Sequence, residues 1–328
     1  MNNSLHDDDI LYTPDGEVYN PVSLDDNLLV ISKFISCLMG MPLNLSVAVT
    51  IIRHPSLRCK PRNVFILGIV FSYFTCFIPG VIELIYWSFY PVESLCQCYV
   101  ALMGVPRSLL LLNMLLALVD RYVAINHPML HRRKMTARFA SGLVIFSSIL
   151  LVFSLKFVYI VGIYPLRCEV SLLHVKITLI VLVILFLFCI AFNCIVYWQT
   201  KNLLAQSRTI DPPTFESTVT NVGNGHRTRV DSMSVHVDRR KLCQMEVEAA
   251  RTLIIGVTAL CVVPCIGVLF GSSLLTCHFL FDQFECRKFV WMGAYIQELI
   301  VIPAVYGPLI FLVRNEELRT AVTRRTDH

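Results

Sequence analysis

The stretch Ile177-Thr178-Leu179-Ile180-Val181-Leu182-Val183-Ile184-Leu185-Phe186-Leu187-Phe188-Cys189-Ile190-Ala191-Phe192-Asn193-Cys194-Ile195-Val196-Tyr197-Trp198-Gln199-Thr200 holds no charged residue. A helix that is apolar on every side has no face for water, and about 20 such residues cross a bilayer core. Two further windows, 63–82 and 252–277, are also free of charge. Four more carry one charge each: 28–52 (Lys33), 95–119 (Arg107), 139–164 (Lys156) and 289–313 (Glu298). Seven crossings result. The expected fold is all-α, a seven-transmembrane helix bundle with spans at about 28–52, 63–89, 95–122, 136–164, 174–200, 246–276 and 288–313.

Composition agrees. Of 328 residues, 55% are hydrophobic and 16% charged, with a mean hydropathy of +0.64. One soluble core could not hide that much apolar surface. Nothing alternates at the two-residue period of a membrane barrel.

Lys and Arg placement sets the expected orientation. The first 32 residues hold neither, but hold Asp7, Asp8, Asp9, Asp15, Glu17, Asp25 and Asp26. Arg53, Arg58, Lys60 and Arg62 follow span one; Arg132, Arg133, Lys134 and Arg138 follow span three. The expectation is an extracellular N-terminal tail, 1–27, and a cytoplasmic C-terminus. The net charge of +5 then faces the anionic inner leaflet and does not imply nucleic-acid binding. The acidic start, with no apolar stretch before residue 28, predicts no cleavable signal peptide, with span one as the anchor. Asn2-Asn3-Ser4 is a glycosylation sequon on the expected outer side.

Residues 201–245 are polar and broken by Asp211-Pro212-Pro213 and Gly223-Asn224-Gly225. That composition predicts a disordered cytoplasmic loop. Among thirteen cysteines, Cys96, Cys98, Cys168, Cys277 and Cys286 fall on the expected oxidising side. Cys277 and Cys286 bracket the loop between spans six and seven and are placed to close it.

At the inner end of span three stands Asp120-Arg121-Tyr122-Val123-Ala124-Ile125-Asn126-His127-Pro128-Met129. It resembles the DRYxxIxxP stretch of rhodopsin-like G-protein-coupled receptors over its full length. An arginine at the membrane boundary needs a partner, and Asp120 is adjacent. The resemblance implies that Arg121 meets the C-terminal helix of a heterotrimeric G protein, and that Asp120, Tyr122, Pro128 and Tyr197 belong to the switch. Arrestin and receptor kinases are the further partners it implies, beside membrane lipid.

Cys96 precedes Arg121 by 25 residues, roughly 37 Å of continuous helix, which carries it to the outer mouth. There the family has a disulfide to the second outer loop. The resemblance thus implies Cys96–Cys168, with Cys98–Cys168 as the alternative. Asn44 is similar to the span-one asparagine, and Cys261-Val262-Val263-Pro264 is similar to C-W-x-P, with Pro264 as the kink. In span seven, Ile302-Pro303-Ala304-Val305-Tyr306 and Gly307-Pro308-Leu309-Ile310-Phe311 both align with N-P-x-x-Y. The second, with Pro308 and Phe311, is preferred. The residues after it, 314–328, resemble the short amphipathic helix eight and tail, as written in odorant-type receptors.

The sequence also departs from the family. Its buried sodium ligands are replaced by Tyr73, Leu110 and Gly307, so no metal site is expected. The amine-binding aspartate is replaced by Met103 and the retinal lysine is missing from span seven, which sets both ligands aside. The expected pocket residues are Lys33, Glu83, Met103, Arg107 and Glu298, since an intramembrane charge marks a site by default. Arg107 is read either as paired with Glu83 or Glu298 or as a clamp for an anionic ligand, and Lys33 as paired with Glu298. His174 and His278 read as loop-edge groups without partners. No cofactor and no catalytic array is expected: HExxH, GxSxG and paired carboxylates are missing. A seven-helix channel or transporter is the competing reading. Such proteins use broken helices around midplane polar groups, and none is apparent in the sequence. A receptor fold that signals constitutively, or acts as a decoy, is the third.

Overall fold

The computed structural model describes residues 26–88, 92–163, 165–168, 172–209, 265–273, 276–277, 283–314 and 319–320. The elements are α1 (Asn27–Arg53), α2 (Pro55–Arg58), α3 (Pro61–Ser88), α4 (Glu93–Leu102), α5 (Val105–Asn126), α6 (Pro128–Lys134), α7 (Ala137–Ile160), α8 (Leu172–Thr209), α9 (265–273) and α10 (Gln283–Arg314). Among the described residues six helices are long and apolar enough to cross a membrane, α4 and α5 counting as one. Span six is described only from residue 265, so Pro264 lies outside the described residues, as do Asn2, residues 210–250 and most of the tail after Arg314.

Helix ends follow local chemistry. Asp26 caps α1, its Oδ1 accepting from the Leu28 N–H at 3.1 Å. The Tyr295 hydroxyl donates to the other carboxylate oxygen, which ties the start of span one to span seven. These two donors hold the Asp26 carboxyl below its ordinary value. Thr136 caps α7 through the Phe139 N–H. Pro55, Pro61 and Pro128 each open a new helix, where a missing N–H costs nothing.

The central helix is α5, which packs against α3, α7 and α8, while α1 lies on α3 and α10. A core of Phe65, Ile69, Tyr73, Phe77, Leu111, Met114 and Leu118 fills the space between spans two and three. Outward faces are apolar too: Phe146, Ile149, Leu187 and Trp198 are all more than half exposed. Such surface is stable against lipid and not against water.

Prolines inside the spans leave carbonyls that neighbouring helices must satisfy. In an unbroken helix the Ala304 carbonyl would accept from residue 308, which is Pro308. Instead the Asn44 amide donates to it at 2.8 Å, and also to the Gly40 carbonyl at 2.8 Å. One asparagine thus bolts span one to span seven.

Two sequence expectations are corrected. First, α8 runs to Thr209, beyond the point where the loop 201–245 was expected to begin. Residues 201–209 contain no Gly or Pro, and several are strong helix formers, so the helix continues beyond the apolar stretch. Second, span three is not one helix. It breaks at Met103-Gly104, where Gly104 adopts φ 79° and ψ −23°. A left-handed residue followed by Pro106 interrupts the hydrogen-bond ladder, so the distance reckoned along a continuous helix from Cys96 does not apply.

Candidate functional site

Two buried polar assemblies lie at opposite ends of span three. At the lower end, Asp120 is 1% exposed and Arg121 7%. Arg121 Nη2 lies 3.2 Å from Asp120 Oδ2, and His131 Nε2 lies 2.9 Å from Asp120 Oδ1. Asp120 therefore holds its neighbour and also the short helix α6, a contact the sequence reading missed. Tyr122 stacks edge-on against Phe192 of α8 with ring centroids 5.9 Å apart. Asn126 reaches Gln199 of α8 at 3.2 Å. Pro128 merely opens α6. Tyr197, expected in the switch, is 52% exposed on the outside of α8. Pro308 and Phe311 are buried on α10.

At the upper end a cavity of about 220 Å³ lies among spans one, two, three, five, six and seven. All five expected pocket residues line it: Lys33, Glu83, Met103, Arg107 and Glu298. Lys33 pairs with Glu83 and lies 3.2 Å from Glu298 Oε1. The Lys33–Glu298 pairing read from the sequence is present, with Glu83 as a third member. Arg107, read as paired with one of these acids, forms no ion pair with either carboxylate among the described residues, although Glu298 acts on it electrostatically. Lys33 also lies 5.2 Å from the centroid of the Trp87 ring, within cation–π range. The Tyr99 hydroxyl meets Gln297 Oε1 at 3.2 Å across the cavity.

The break in span three borders this cavity and is held from span four. Lys156 Nζ lies 3.2 Å from the Val100 oxygen and 3.0 Å from the Met103 oxygen. These carbonyls lie in the last turn of α4 and at its C-cap, where intrahelical donors run short, the Val100 oxygen keeping only the Met103 N–H at 3.3 Å. Nζ is also 3.0 Å from His174 Nε2. His174 is 1% exposed on α8, which corrects its reading as a loop-edge group; His278 lies outside the described residues. Two signals in the sequence point here. One is Gly104-Val105-Pro106 within a span, and the other is a lone lysine in span four.

Gly104 is fixed sterically as well. A Cβ there would sit 2.3 Å from Thr178 Cγ2. Gly104→Ala is expected to lower the thermal unfolding midpoint, by at least the roughly 1–2 kcal/mol of a left-handed L-residue. Adding Thr178→Ser removes the struck methyl and should return only the steric part. Full recovery in the double variant would mean the backbone strain is not there.

Above the break, Cys96 and Cys168 form a disulfide with Cα atoms 5.4 Å apart. Cys98 is a free, exposed thiol. Cys277 is disulfide-bonded, and the side chain of Cys286 lies outside the described residues.

A family model of the seven-transmembrane receptors of the rhodopsin family matches residues 43–311. The chain belongs to that family. It is a multi-pass membrane receptor of the G-protein-coupled kind. No curated protein matches the chain. The receptor's residues do not fit the sodium ion of the family. Tyr73, fully buried, lies against Gly307, where an added Cβ would meet its ring at 2.7 Å, and Leu110 is apolar. Nearby, Asn113 donates to Ser72 Oγ at 2.8 Å and Ser72 to the Gly68 carbonyl at 3.0 Å, a polar link between spans two and three.

Proposed function

We propose that the receptor sits in the plasma membrane with its N-terminus outside, and that a ligand entering the upper cavity drives activation of a heterotrimeric G protein. Ligand binding reshapes the mouth around Lys33, Glu83, Met103, Arg107 and Glu298. Span six swings outward at Pro264, while Pro308 and Phe311 re-pack in span seven. Arg121 leaves Asp120 and meets the G protein, with Tyr122 and the α6 helix beginning at Pro128 beside it. Arrestin and receptor kinases act on the same inner face afterwards.

The observation that carries this reading is the buried Arg121–Asp120 pair, 3.2 Å apart, at the inner end of span three. A buried ion pair is costly to keep and costlier to half-remove, which suits a latch. Because no ligand is needed to weaken a latch, the test uses variants. Asp120→Asn, matched for surface expression, is expected to raise basal second messenger about tenfold, the effect of roughly 1.4 kcal/mol. Arg121→Ala in the same background should return it to that of untransfected cells, read with a promiscuous G-protein reporter. Basal signalling unchanged in both variants would reject the reading. An ion current or solute flux without G-protein activation would favour the channel.

A further inference from the structure

The two ends of the break in span three are treated unequally. The carbonyl end, at α4, is occupied by Lys156. The amide end, at α5, has no side-chain cap and opens with Val105-Pro106-Arg107. Free N–H groups and the positive half of the helix dipole collect at such an end. Gly104, Pro106 and Arg107 all line the cavity, so this end faces open space.

Arg107 adds a charge at the same place. Among the described residues no ion pair or hydrogen bond is made by its guanidinium, and Glu298, Tyr99 and Cys76 act on it only through space. The four cavity charges sum to zero, so neutrality by itself requires no ligand. What is left open is the fork of five N–H donors, which has no acceptor capacity of its own. Donors shielded from water and left without an acceptor are costly. A planar, acceptor-only group fits the fork with two parallel bonds. An amine brings no acceptor in its charged form, and a neutral amide brings only one oxygen. The remaining wall is largely apolar, including Phe77, Leu102, Leu179, Leu182, Phe270 and Val301.

We infer that the cavity is a site for a small carboxylate with an apolar body, the carboxylate bridging the Arg107 guanidinium and the amide end of α5. This rests on the reading of the cavity as the ligand site but not on the route from it to the G protein. Binding is therefore read without signalling, on the purified full-length receptor in lipid nanodiscs. The probes are butanoate, hexanoate, octanoate and decanoate, each beside its primary amide and its amine.

At least one carboxylate is expected to raise the thermal unfolding midpoint where its amide and amine do not. Arg107→Gln should weaken that binding about tenfold or more, the loss of a charge-assisted bond, and Arg107→Lys should keep part of it. A ligand-free measurement stands beside these. Arg107→Met should melt above the wild type, because a half-buried guanidinium without a hydrogen-bonded acceptor is gone. Equal shifts from amides or amines, no shift with any of the four carboxylates, or an Arg107→Met variant that melts lower would each overturn the proposal. Failure of the Asp120 and Arg121 variants to alter signalling would leave this outcome standing, so the two readings fail separately.

Discussion

Replacing Lys33 with methionine is expected to destabilise the receptor by about 3–5 kcal/mol, the cost of removing one partner from a buried ion pair. Lys33 serves two acids at once, Glu83 and Glu298, with side chains 5%, 5% and 13% exposed. The methionine would fill the volume of the lysine stem and leave two carboxylates facing each other inside the membrane. Ser32, which donates to Glu298 at 3.4 Å, cannot replace an ammonium. The measurement is the unfolding midpoint in nanodiscs, with surface expression as a second readout. Adding Glu83→Gln and Glu298→Gln to the variant should recover most of the loss, because no charge is then stranded. If the single variant melts with the wild type, the three residues are not held by charge.

Lys156→Met is the second large effect, expected at about 1–3 kcal/mol, chiefly from the Met103 carbonyl, since the Val100 carbonyl keeps the Met103 N–H at 3.3 Å. The Val100 and Met103 oxygens would face an apolar side chain at a depth where water is scarce. His174 would lose its contact as well. Beyond the lower melting point, the loss should be local. Amide hydrogen exchange should quicken over residues 99–106 while the lower half of α5 is unchanged. Lys156→Arg, which keeps the donors at a different reach, should fall between the two. Exchange over 99–106 unaltered in the methionine variant would mean that the break is held by its surroundings and not by this cap.

These two lysines mark how far the sequence could be read. Both were visible as single charges in apolar spans, and the partner of Lys33 on span seven could be named because few acids lie within the membrane. That Glu83 joins it depends on the rotation of α3, which no count along one chain supplies. Lys156 acts on backbone carbonyls, and these carry no signature in the sequence. Hydropathy hides the break it caps, since Leu102-Met103-Gly104-Val105-Pro106 is apolar throughout, and only the Gly104 and Pro106 residue types mark it. His174 appeared isolated because its partner is 18 residues away on another helix. The Asp120-Arg121-Tyr122 end was legible because its partners are adjacent in sequence. His131, eleven residues on, needed the turn at Pro128 to bring it back.

The contact between Tyr73 and Gly307 constrains what related sequences can hold. With the ring filling the space a side chain at 307 would occupy, the two positions share one volume. Neither can grow alone. A related receptor with asparagine at 307 must carry a much smaller residue at 73, and a lineage passing between the two states has to shrink the tyrosine first. Paired change at these positions across relatives, small with large and never large with large, is the record this packing would leave.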